Sequence, residues 1–376
     1  MAHPSTDKLE LVPGPSQMLP NVLAALGSAC GSSDLDPAFW DDYLALERDL
    51  QHFLHAESCS VAIQSGEAML CLWGALKSTL KPGDVVVCAA NGLFGAGFAD
   101  MAKALGADVR VVECDWRKSI DVDALCAEIR RSDPKLVTAV HCETPSGLLN
   151  NLEGVGEVVA NHTTDGLFLV DFVSSAGGAP LNVDAWKIDL GLLGPHKALS
   201  GPPALAFTTV SEKAWKRINE VKYVGYDALQ PFYRAAQQEP RLLPYTHNWQ
   251  AIRAALVACD NIKKEGGIDA VIQRHAEVSE FARREVQETL GLKVYGEESA
   301  ASPTVTAIEL PEGDWAALQE ELRAQNLLVG GSYGPLNGKV LRLGHMGSQA
   351  NKETVTKAIE IIGAALEKMK KSRLLH

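Results

Sequence analysis

Between residues 84 and 171 the chain repeats one pattern, a short apolar run followed by a longer amphipathic stretch. Residues 84–89 (DVVVCA), 108–113 and 136–141 read as strands and 98–105, 122–130 and 154–161 as helices, with a further strand ending at Asp171. Strands separated by helices cannot pair as hairpins. Each connection must cross one face of the sheet, so the pattern demands a mostly parallel α/β sheet with helices on its faces. A chain of 376 residues also exceeds one typical domain, and a large domain with a smaller one is the expected organisation.

The residues that suggest chemistry gather at one end of that sheet. Residues 167–170 (LFLV) form a continuous apolar run, as expected of a fully buried strand, and Asp171 follows at its C-terminal end, where ligands collect in open α/β sheets. A small-residue turn (Ser174, Ser175, Ala176, Gly177, Gly178) leads to a second apolar run at 188–193 and then to Gly194-Pro195-His196-Lys197. Lys197 lies between a strand end and the Gly201-Pro202-Pro203 turn, which points its amine into a site rather than along a helix face. Pyridoxal phosphate chemistry needs such a pair. The lysine forms an imine with the aldehyde and later carries the proton, and the acid keeps the pyridine nitrogen protonated. On spacing alone, a turn-capping aspartate and a solvated lysine account for the two residues equally well.

Residues 170–178 (VDFVSSAGG) and 194–203 (GPHKALSGPP) together resemble the paired signature of the class V aminotransferases, in particular the alanine, serine and pyridoxamine transaminases that use glyoxylate or pyruvate. The resemblance runs from the proline arm to the final helix. It implies a fold-type I pyridoxal phosphate enzyme with an N-terminal arm at 1–20, a large domain at 21–265 built on a mostly parallel seven-stranded sheet, and a small C-terminal α+β domain at 266–376. The arm (9–20, LELVPGPSQMLP) cannot be helical across Pro13, Pro15 and Pro20. The resemblance lays its Gly14-Pro15 across the active-site mouth, with a disordered leader as the alternative for the first eight residues. Helices are expected at 36–54, 212–221, 251–265 and 268–290, an antiparallel strand at 204–210, and a dimer-facing excursion at 222–241. The small domain reads as strands at 293–295, 305–309, 329–331 and 340–343 and helices at 315–325 and 352–369, with 370–376 a solvated tail.

The resemblance also assigns residues. A strand at 60–63, the turn Gln64-Ser65-Gly66-Glu67-Ala68 and a helix reaching about residue 80 make an anion site, because free N–H groups and the positive helix end favour phosphate. The family's phosphate turn falls here, on Ser65, Gly66, Glu67 and Ala68. Glu67 departs from the Thr or His of alanine–glyoxylate members and resembles the pyridoxamine–pyruvate transaminases. Phe94 matches the aromatic that stacks on the cofactor ring, a core phenylalanine being the alternative. Thr144, in the loop HCETPSG (141–147), is the polar contact to the ring, and Val173 and His196 complete the cofactor set. Thr246 would reach the phosphate of the neighbouring subunit in a homodimer, although His247, Asn248 and Trp249 depart from the usual pattern. Arg342 is the one charge on the apolar strand at 340–343, and its planar fork suits the carboxylate of an amino or keto acid or else a structural carboxylate. Gly14 and Tyr333 complete the substrate set; pyridoxamine–pyruvate transaminases carry an arginine where Tyr333 stands.

These assignments imply a transaminase, with pyridoxal 5'-phosphate as cofactor, that moves an amino group from an alanine- or serine-type donor to glyoxylate or pyruvate through a Lys197 Schiff base. The alternative is a pyridoxamine–pyruvate transaminase with free pyridoxamine as substrate, favoured by Glu67 and opposed by Tyr333. A lyase is echoed by His196-Lys197, but residues 327–337 lack the nucleophilic cysteine of the cysteine desulfurases. A net charge of −12 disfavours nucleic acid or an anionic membrane as partner. The eight cysteines are scattered without a CxxC pair, reading as reduced, mostly buried thiols, and no metal site is expected. No apolar stretch is long enough to span a bilayer. The expectation is a cytoplasmic homodimer acting on small amino and keto acids, with active sites at the subunit interface.

Overall fold

The alternating region forms one sheet, seen here in a computed structural model that describes residues 8–310 and 315–374. The N-terminal segment contributes β1 (Leu9–Leu11), α1 (Pro20–Leu26) and α2 (Ala38–Leu54). There follow β2 (Ser60–Ser65), α3 (Met69–Thr79), β3 (Val85–Ala90), α4 (Leu93–Ala104), β4 (Asp108–Glu113), α5 (Val122–Ser132) and β5 (Leu136–Val140). A short hairpin, β6 (Cys142–Glu143) and β7 (Leu148–Leu149), precedes α6 (Val155–His162), β8 (Leu167–Asp171), β9 (Leu190–Leu193), β10 (Leu205–Val210) and α7 (Glu212–Val221). Two long helices, α8 (Trp249–Glu265) and α9 (Ile268–Glu288), lead to β11 (Thr306–Glu309), α10 (Trp315–Ala324), β12 (Leu327–Gly331), β13 (Val340–Leu343) and α11 (Lys352–Leu374).

The large sheet has seven strands in the order β2-β10-β9-β8-β5-β3-β4, and β10 alone runs antiparallel to its neighbours. Strand β8 is buried along its whole length, and its side chains alternate between two cores. Phe168 and Val170 pack with Phe39, Leu125 and Ile252 on one face, while Leu167 and Leu169 pack with Leu72, Phe98 and Trp215 on the other. The edge strand β2 does not leave its outer amides bare. Val61, Ile63 and Ser65 donate in turn to the Glu47 carboxylate (3.0 Å), the Tyr43 hydroxyl (3.2 Å) and the Tyr245 hydroxyl (3.1 Å), which blunts the edge.

The smaller domain is built on a four-stranded sheet, β1-β12-β13-β11, in which the N-terminal β1 pairs parallel with β12. Its core joins Leu11, Ile308, Leu341 and Leu343 to Val278 of α9 and Ile359 and Ile362 of α11. Between α8 and α9 the chain turns on Gly266 (φ 115°) and Gly267 (φ 93°), a left-handed backbone that favours glycine.

Four expectations need correction. Helix α4 begins at Leu93, five residues before the predicted start, because its first turn is capped from outside the local sequence by Glu143. The strand expected at 293–295 reduces to a single bridge between Val294 and Ile308. Pro20, expected to close the arm, instead opens α1, where its missing N–H costs nothing. The solvated tail at 370–376 is helical through Leu374, with no glycine or proline to stop α11, and its last two residues lie outside the described set. The leader expected at 1–8 likewise falls outside it up to residue 7.

Candidate active site

Asp171 ends β8 and Lys197 follows β9, its neighbour in the sheet, so adjacent parallel strands deliver both residues to the same edge. Between them lies a cavity of about 160 Å³ lined by Glu67, Ala68, Phe94, Asp171, Val173, His196 and Lys197, with Met69, Leu72, Cys142 and Ser174. Burial pushes the Asp171 carboxyl up to about 6, against the opposing N–H of Val173 (2.9 Å) and the Lys197 charge. Burial also pushes the Lys197 amine down to about 8, helped by the Arg342 guanidinium and opposed by Asp171. His196 is buried and held neutral, its pKa lowered to about 4 by burial and then by Lys197. Its Nδ1 has no hydrogen-bond partner among the described residues.

Arg342, on β13, is 3 % exposed, and Nε donates to the Gly331 carbonyl (2.6 Å). The guanidinium sits 5.0 Å from the centre of the Tyr333 ring, which is itself largely exposed. Among the described residues no carboxylate pairs with it. The N-terminal arm crosses between Lys197 and the small domain. Lys197 Nζ donates to the Pro13 carbonyl (2.9 Å), Ser16 Oγ to the Lys197 carbonyl (2.6 Å) and Ser16 N to the His196 carbonyl (2.8 Å). On the other side, Gly344 N and Gln349 Nε2 donate to the carbonyls of Leu11 (2.7 Å) and Val12 (2.9 Å). Gly14, at φ 94°, is seated directly against the lysine, and a Cβ there would collide with Nζ.

The turn at 65–69 carries an anion of its own. The exposed Glu67 carboxylate accepts the N–H of Met69 (3.0 Å) at the start of α3. Ser65 Oγ accepts the N–H of Asn248 (3.0 Å) and faces His247 Nδ1 (3.1 Å). Burial holds His247 neutral, at about 4, and its Nε2 donates to the Ile63 carbonyl (2.7 Å). Nδ1 is therefore the acceptor, and the Ser65 hydroxyl proton is already committed.

A model of the family described as aminotransferase class-V matches residues 14–336. The chain is a class V aminotransferase. An uncharacterized aminotransferase of Methanocaldococcus jannaschii is 33 % identical over 93 % of the chain and 90 % of its own length. The pyridoxamine–pyruvate transaminase of Mesorhizobium japonicum is 32 % identical over 95 % and 91 %. Among solved structures, an alanine–glyoxylate aminotransferase from Nostoc sp. superimposes with a TM-score of 0.91 at 30 % identity, covering 97 % of this chain and 96 % of the other. The large mixed-sheet domain and smaller α+β domain are those of fold-type I enzymes, and the family's activity is pyridoxal-phosphate-dependent transamination.

In this class V aminotransferase the predicted residues divide into three groups. Glu67, Ala68, Phe94, Asp171, Val173, His196 and Lys197 converge on the cavity, while Gly14 packs against Lys197 and Arg342 against the Tyr333 ring, outside the lining. The ring end fits a pyridoxal: an aromatic wall, a buried acid, a lysine lowered to about 8 and a histidine nitrogen without a partner among the described residues. Ser65 and Gly66 lie in the turn but outside the cavity lining, and the turn's donors are partly engaged within the chain. Thr144 is buried in the hairpin turn without lining the cavity; Cys142, two residues earlier, does. Thr246 is exposed, donates to Asp34 (2.8 Å) and does not line the cavity of its own chain. Sequence reasoning did not select Cys142, Glu143 or Tyr245, and it noted His247 only as a departure from the family pattern. The first two stood in the HCETPSG loop, where only the threonine was selected.

Proposed function

We propose that the enzyme moves an amino group from a small donor of the alanine or serine type to glyoxylate or pyruvate, with Lys197 as the proton carrier. The observation that carries this reading is the buried Arg342 guanidinium, free of any carboxylate among the described residues, close enough to Lys197 to lower its pKa. Its fork would hold the carboxylate of either substrate in two parallel hydrogen bonds. Bound pyridoxal 5'-phosphate supplies an aldehyde and an electron-accepting ring. Asp171 would face the ring nitrogen and hold its proton. Lys197, half deprotonated at about pH 8, takes the proton from the donor's α-carbon and returns it within the same cavity. Gly14 and the arm would shield the amine from water. L-alanine and glyoxylate should give pyruvate and glycine, and Lys197→Ala should abolish turnover while leaving the protein folded by thermal melting. Turnover surviving in that variant would overturn the assignment.

A second reading is favoured by Glu67. With its carboxylate on the Met69 amide, the turn is better suited to a vitamin without a phosphate, and free pyridoxamine with pyruvate becomes the substrate pair. Under either reading we place the large domain at 21–265, the small one at 266–376, and a homodimer contact on the exposed apolar residues Leu35, Val224, Tyr226 and Leu242, from which Thr246 would serve the neighbouring subunit.

A further inference from the structure

The residue with the least obvious reason to be where it is lies beside the catalytic pair. Glu143, on β6, has no exposed surface and no cationic partner among the described residues. Its two oxygens are divided between consecutive amides of the α4 first turn, Oε2 accepting from Phe94 (3.2 Å) and Oε1 from Gly95 (2.6 Å). Burial lifts its pKa to about 7 even against those two hydrogen bonds. A serine or asparagine at the cap position would satisfy one of these amides without the cost of burying an acid, whereas Glu143 takes both. That position is Gly92, where a Cβ would collide with the Glu143 carboxyl carbon; its backbone is extended (φ −173°), so glycine is there for room and not for conformation. The cap is therefore delivered across the structure, and it ties together two segments that each line the cavity, Cys142 on β6 and Phe94 on α4.

We infer that Glu143 is a positioning residue: by holding the Phe94 and Gly95 amides, its carboxylate fixes the Phe94 ring as one wall of the cofactor cavity and sets how tightly the vitamin ring is gripped. This rests on the transaminase reading, in which Phe94 faces that ring. Glu143 touches neither vitamin nor substrate and acts through Phe94.

A double-mutant cycle on the full chain tests it, with binding of pyridoxal 5'-phosphate and of pyridoxal followed by quenching of tryptophan fluorescence, and amide hydrogen exchange at 94 and 95 as a readout independent of activity. Glu143→Gln should bind the tighter of the two about tenfold more weakly than wild type, the scale of one lost ring contact. Phe94→Ala should lose about as much, and the double variant no more than Phe94→Ala alone. Exchange at 94 and 95 should quicken in Glu143→Gln. Unchanged binding in Glu143→Gln, or losses that multiply in the double variant, would overturn the inference while the transaminase reading stands. A wild type that binds neither compound would sink both. Should Glu143→Gln fail to fold, Gly92→Ala displaces the carboxylate without changing its charge, and the same cycle with Phe94→Ala decides.

Discussion

Asp171 and Lys197 face each other across the cavity with their pKa values displaced toward one another, to about 6 and about 8. The acid's ordinary value is 3.8, so between about pH 4 and 6 the folded protein binds a proton that the unfolded chain has released. The contribution of Asp171 to stability therefore falls as pH rises through that window, by about 3 kcal/mol for a shift of roughly two units. Lys197 has the opposite sense: between pH 8 and 10.5 the unfolded chain holds the extra proton, and stability rises with pH. Five buried histidines held neutral (His141, His196, His247, His275 and His345) also favour higher pH below their ordinary range, which masks Asp171 in the wild type alone. Asp171→Asn cancels that background. Without vitamin, the urea stability of wild type minus that of Asp171→Asn should decline from pH 4 to 6 and then level. A flat difference would mean that the carboxyl is not held up by burial.

At the scale of elements, the start of α3 is where the proposed choice between a phosphorylated and a free vitamin can be tested. A helix N-terminus binds one anion well, and here the side chain of Glu67 already supplies it. Glu67→Thr removes the charge and frees the Met69 amide, so affinity for pyridoxal 5'-phosphate should rise about tenfold relative to pyridoxal. Equal affinities for the two compounds before and after the change would show that the turn does not read phosphate. Elements with local causes were legible in the sequence. Residues 108–113 and 212–221 emerge at their expected bounds, the second because Ser211 caps it by accepting the Ala214 amide. The start of α4 was not legible, since its cap comes from Glu143, nearly fifty positions away. The same holds for the site: Asp171, Lys197 and Arg342 stand out as charges in apolar runs. The link from Ile63 through His247 to Ser65 exists only after β2 and the residues before α8 have met.

Across the whole molecule, the arm joins what the two sheets separate. Its β1 belongs to the small domain, Pro13 and Ser16 hold the Lys197 loop of the large one, and Gly14 sits between. Gly14→Ala adds a methyl group where Nζ lies and strains a left-handed backbone by about 1 kcal/mol. Its effect on melting should be small and its effect on the lysine large. The pH at which an amine-selective reagent half-labels Lys197 in vitamin-free protein should move from about 8 toward the ordinary lysine range, and turnover should fall at least about tenfold. An unchanged labelling profile would mean that the arm does not govern the amine.

The pairing of β1 with β12 also sets an order of events during synthesis. Leu9–Leu11 is made before every strand of the large sheet, yet Leu327–Gly331, the strand it must meet, is made after all of them. The large sheet has all of its strands long before that. The arm can therefore meet the Lys197 loop before its own strand has a partner, and it is locked in place only after residues 327–331 have emerged.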